Sequence, residues 1–112
     1  MTLVDSSAWI EFLRRKGDPV AKDKVARLLE AGLTAYTCPI EFELLSGVKP
    51  AEEADLKQAL HLSQHIPFTR ADWHEAALLE RKLRSSGVTI PRNDLFVATV
   101  AIRAGLTLSC RD

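Results

Sequence analysis

The sequence has no surplus of either charge: Lys and Arg total 15, Asp and Glu total 15, and the net charge is zero with His neutral. A global basic field for nucleic acid is therefore missing, and only a local patch can supply one. Cysteine is scarce. Cys38 and Cys110 stand far apart with no CxxC spacing, which excludes a disulfide framework and reads as two reduced, small, buried thiols. No stretch approaches the roughly 18 apolar residues of a membrane span. The start MTLVDSS lacks the basic n-region and apolar run of a secretory leader. These absences together predict a soluble, cytoplasmic protein. Catalytic signatures are missing too. There is no GxSxG, and HEAALLE holds one histidine, so it is not an HExxH zinc helix. Repeats, linkers and low-complexity segments are absent.

What is present is an ordinary globular composition, 46% hydrophobic and 27% charged over 112 residues, enough for one core and one domain. Hydrophobic periodicity divides the chain into alternating strands and helices. TLV (2–4) reads as a strand, and helical spacing of Trp9, Ile10, Phe12 and Leu13 follows. Gly17-Asp18-Pro19 breaks that helix, and Ala21, Val25, Leu28 and Leu29 mark a second one, closed by Gly32. TAYT (34–37) is a strand, with Pro39 in the first turn of the helix after it. Pro50 opens another helix, and HIPF (65–68) is a short strand. Trp73, Ala76, Leu79 and Leu83 mark a helix with Trp73 as its core anchor, VTI (88–90) is an extended piece, and Asp94 to Ala104 is a helix apolar on almost every side. LTLSC is the last strand. Such alternation predicts an α/β fold, a parallel sheet covered by helices on both faces.

In an open parallel sheet the carboxyl ends of the strands share one edge, where ligands bind. Four acids fall there: Asp5 after TLV, Glu43 early in the helix after TAYT, Asp94 at the start of the apolar helix behind an N-cap Asn93, and Asp112 after LTLSC. Singly, each is a cap or a dipole partner. Crowded together they repel, and hard divalent cations prefer such oxygen ligands, which points to Mg²⁺ or Mn²⁺. Ser6 and Ser7 can cap the helix or fix a carboxylate rotamer. Glu41 competes with Glu43, since two residues apart on a helix they face nearly opposite sides and spacing alone does not choose.

LVDSSAWIEFLR, FELLSG (42–47) and RNDLFVATVAIRAGLTLSCRD resemble, in this order and over the whole chain, the motifs of the PIN-domain ribonucleases, above all the VapC toxins of type II toxin–antitoxin pairs. The resemblance selects Glu43 over Glu41 and implies Asp5, Glu43, Asp94 and Asp112 as catalytic and metal-binding acids. It also implies a three-layer α/β/α PIN-like domain over 1–112, a homodimer, metal-dependent cleavage of single-stranded RNA and a neutralising VapB-like antitoxin. Members of the family continue past the last Asp, so a short C-terminal tail is expected to be lacking here. Arg92 and Arg111 adjoin motif acids and are candidates for phosphate, with Arg14 and Arg15 a further basic pair. An apolar partner helix is expected in a groove lined by Trp9, Phe12 and Leu13.

Three other functions compete. A haloacid-dehalogenase-like phosphatase wants a second Asp two residues after the first, where this chain has Ser7. A receiver-like signalling domain wants a central reactive Asp and a later lysine at the edge, and neither is present. A degenerate PIN domain would bind RNA or protein without cutting, and the retention of all four acids argues against it.

Overall fold

The computed structural model describes residues 1–111. Four short strands, β1 (Thr2–Val4), β2 (Thr34–Thr37), β3 (Gln64–Ile66) and β4 (Thr107–Ser109), form one sheet in the order β3-β2-β1-β4. All three pairings are parallel. Six α-helices connect them: α1 (Ser6–Leu13), α2 (Pro19–Glu30), α3 (Cys38–Gly47), α4 (Glu53–His61), α5 (Arg70–Ser85) and α6 (Arg92–Ala104), with one 3₁₀ turn at Pro50–Glu52. The protein is an α/β domain of the expected type, and β1, in the interior of the sheet, supports the core with Leu3 and Val4 fully buried. Trp9, Val25, Ile40, Leu44, Leu56, Val97 and Val100 complete one continuous cluster on both sides of that strand.

Local chemistry explains the boundaries. Asp18 caps α2 by accepting from Ala21 N at 2.9 Å, and Pro19 follows where an absent N–H is harmless. Thr69 and Asp72 form a reciprocal capping box at the start of α5. Gly105, at φ 65°, takes the left-handed cap that ends α6. Gly17 is required for a different reason: a Cβ there would sit 1.9 Å from the carbonyl oxygen of Glu11. The turn between α1 and α2 therefore lies directly on the α1 backbone.

Several expectations fail in detail. The third strand is Gln64–Ile66 rather than 65–68. The last long helix starts at Arg92, two residues early, with Pro91 in the N-cap position. Cys38 and Cys110 are exposed, since each sits just past the end of a strand at the sheet's edge. Trp73 is half exposed: Ala76 on the same helix faces the core, while Trp73 packs edge-on against Phe68 and Phe96 outside it.

Candidate active site

β1 ends at Val4, and Asp5 keeps extended backbone as the N-cap of α1. Its Oδ2 accepts from Ser7 N at 3.4 Å and from the Ser7 hydroxyl at 2.9 Å, leaving Oδ1 without a partner among the described residues. The first-turn cap thus fixes the carboxylate and spares one oxygen. Next to it, Ser6 donates its hydroxyl to Glu43 Oε1 at 3.1 Å, tying α1 to α3. Glu41 faces elsewhere, with Oε1 3.9 Å from His65 Nε2. Burial, with the nearby Glu41 and Cys38, pushes the Tyr36 hydroxyl pKa up on that side.

The strands flanking β1 bring hydroxyls to the same edge. Continuing the β1–β2 register past Leu3, paired with Ala35, sets Thr37 level with Asp5. Thr37 is fully buried, and its Oγ1 has no hydrogen-bond partner among the described residues. The buried Ser109 Oγ, at the end of β4, is unpartnered in the same way. Buried polar atoms without partners are rare in folded proteins, and a bound ion or water is one way such an atom is satisfied.

Asp94 is the third residue of α6 and is exposed, and its carboxylate makes no hydrogen bond or ion pair with any described residue. Asn93 is not the N-cap. It lies inside the first turn, because Pro91 already supplies the extended-to-helical junction, and it lines a cavity of about 330 Å³ with Cys38, Phe42, Phe68, Trp73 and Phe96. The fourth acid, Asp112, lies outside the described residues. Among the described residues, no three His, Cys, Asp or Glu side chains stand close enough to hold a metal ion.

The basic candidates are mostly engaged. Arg92 Nε lies 3.3 Å from Glu80 Oε2. Arg14 and Arg111 both approach Glu11, at 3.6 and 3.3 Å. Arg15 is exposed and has no ion pair among the described residues. Glu11 was not singled out from sequence, although a lone carboxylate inside the apolar run Trp9-Ile10-Glu11-Phe12-Leu13 was the signal. It is only 4% exposed. Trp9 is fully buried and cannot line a groove, because its ring fills the core edge-on to Phe12. Phe12 and Leu13 do line a cavity, with Leu29, Ala59 and Leu62.

Fold and edge together define a parallel α/β domain with carboxylates held at the carboxyl ends of its strands. The PIN-domain family model matches residues 2–112, and the chain belongs to that family. It is 35% identical to the VapC ribonuclease Mb1587 of Mycobacterium bovis and to ribonuclease VapC11 of Mycobacterium tuberculosis, covering 100% of this chain and 87% of each relative. The fold is shared with the crystal structure of VapBC2 from Rickettsia felis bound to a promoter DNA fragment, at TM-score 0.80 and 20% identity over 99% of this chain and 86% of that one. It is also shared with FitAcB from Neisseria gonorrhoeae, at TM-score 0.81 and 22% identity over 100% and 88%.

Proposed function

We propose that this protein is a VapC-type toxin: a cytoplasmic, Mg²⁺- or Mn²⁺-dependent endoribonuclease that hydrolyses phosphodiester bonds of single-stranded RNA and is neutralised by a cognate VapB-like antitoxin. The observation that carries the reading is the pair of serine-held carboxylates, Asp5 with Ser7 and Glu43 with Ser6, at the carboxyl edge of the sheet. It stands in a chain 35% identical to ribonucleases.

The donor chemistry fits a hard divalent cation. Asp5 Oδ1, Glu43 Oε2 and both Asp94 oxygens have no partner among the described residues, and orphaned hydroxyls of Thr37 and Ser109 lie at the same edge. Asp5, Glu43 and Asp94 are the acids that would hold the ion, with Asp112 as the fourth; no three of the described side chains are already grouped for it, so binding would have to draw them together. When bound, such an ion neutralises the phosphodiester's charge and makes water a nucleophile at neutral pH. The chain's own residues do the positioning. Ser7 keeps Asp5 Oδ2 engaged so that Oδ1 faces ligand, and Ser6 does the same for Glu43. Arg15 is the candidate cation for the RNA backbone that has no ion pair among the described residues, while Arg92, Arg111 and Arg14 would reach phosphate from their places beside Glu80 and Glu11. A homodimer is supported by the exposed aromatic face of Phe42 and Trp73, 70% and 52% exposed, beside Phe68 and Phe96.

The test is cleavage of single-stranded RNA with Mg²⁺ or Mn²⁺, with EDTA, and with Asp94→Ala. New ends that require the metal and vanish in the variant are expected. Cleavage that survives both chelation and substitution overturns the reading, and metal-independent RNA binding without cleavage favours the non-catalytic alternative.

A further inference from the structure

Resting on that reading, we propose that Glu11 is a positioning residue, which acts on the Asp5 carboxylate through Arg111 and Ser7. A glutamate buried to 4% exposure inside an apolar helix face requires a partner. Glu11 has two, from different segments: Arg111, whose Nη1 lies 3.3 Å from Oε1, and Arg14, whose Nη1 lies 3.6 Å from Oε2. The second contact is not a hydrogen bond, and Oε2 is otherwise unpartnered, so Arg111 is the stronger tie.

What Arg111 does there connects Glu11 to the acidic edge. Its backbone N–H donates to Ser7 Oγ at 3.3 Å, across 104 positions of chain. Ser7 Oγ in turn donates to Asp5 Oδ2 at 2.9 Å. With one lone pair of the hydroxyl accepting from Arg111, its proton is directed at Asp5, and Asp5 Oδ1 stays open. The Glu11 backbone is closely packed: it belongs to the same helix that Asp5 caps, and Gly17 lies on its carbonyl oxygen with no room for a Cβ. The order of control therefore runs from the buried Glu11, through the guanidinium and backbone of Arg111, to the rotamer of Ser7 and the open oxygen of Asp5.

The test uses Glu11→Gln, nearly isosteric and uncharged, and Arg111→Gln, a change at an exposed position that leaves the core alone. Three quantities are read on the full chain: Mn²⁺ affinity by calorimetry, amide exchange at Ser7 and Arg111 without metal, and the coupling of the two substitutions in a double-mutant cycle. Each variant is expected to bind Mn²⁺ about 10-fold more weakly. Both amides are expected to exchange faster, and the double variant to be no worse than the poorer single one. Folded variants with unchanged Mn²⁺ affinity, or fully additive effects, overturn the proposal. If Glu11→Gln does not fold, Arg111→Gln decides through the same affinity and exchange readings. A wild-type protein that binds no Mn²⁺ sinks the nuclease reading instead, and the exchange and coupling measurements then decide the tether alone.

Discussion

Ser6 and Glu43, 37 positions apart, are joined by a 3.1 Å hydrogen bond that no local sequence rule requires. It links the start of α1 to α3 and orients an acid whose partner is a neutral hydroxyl. Ser6→Ala is expected to cost about 1 kcal/mol of stability. Its effect on RNA cleavage should be larger, on the order of 10–100-fold, because the orientation of Glu43 is lost. Denaturant unfolding and single-turnover cleavage measure the two separately.

Asp5 has a structural duty as N-cap and a proposed chemical one, and two substitutions separate them. Asn caps as well as Asp, so Asp5→Asn should keep wild-type stability within a few tenths of a kcal/mol, whereas Asp5→Ala should lose about 1 kcal/mol. Both should abolish cleavage. An Asn variant that still cuts RNA would reduce Asp5 to a cap.

Asp72 is fully buried and receives Arg103 through both carboxylate oxygens, 2.9 Å from Nη2 to Oδ2. Burial alone would raise its pKa, but hydrogen bonds from Arg103 and Thr69, with the guanidinium charge, hold it below the usual carboxylate range. The unfolded chain therefore binds the proton more readily. The stability this pair contributes is complete above the unfolded value of about 3.9 and is lost as pH falls through the folded one. Arg103→Met leaves the buried acid unpaired and should cost about 3 kcal/mol near neutral pH, with the difference from wild type shrinking in acid. Thermal or urea unfolding across pH 2–7 checks the sign.

Gly17→Ala forces a methyl group onto the Glu11 carbonyl, 1.9 Å away in the present backbone. A loss of about 1–3 kcal/mol is expected. A neutral result in urea unfolding would mean the turn relaxes freely.

Trp73→Asp places a charge on the exposed aromatic face. If a second copy covers that face, light scattering will find the variant monomeric at concentrations where wild type is dimeric. Its unfolding temperature as a monomer should change little.

The strand–helix alternation was readable because each short apolar run ends at a turn residue or a cap. Asp5 shows how far this reaches: a carboxylate between TLV and a helical pattern announces both the strand end and the N-cap. Asn93 shows the limit, since a good capping residue lost that place to Pro91, whose restricted φ sets the junction two residues earlier. Trp73 misled because its three-four spacing is real while the face it marks packs on Phe68 and Phe96 at the surface. Glu11 was hidden for a physical reason. Its importance lies in Arg111, one hundred positions later, and only the β1–β4 pairing brings the two together.

That pairing also sets the order in which the acidic edge can form. Thr2, Leu3 and Val4 pair with Thr107, Leu108 and Ser109, so the first strand finds one of its two neighbours only far along the chain. Until β4 docks, Asp5 lacks the Ser109 carbonyl that accepts from its N–H, and Ser7 lacks the N–H of Arg111, so this corner of the fold is completed by its most distant contact.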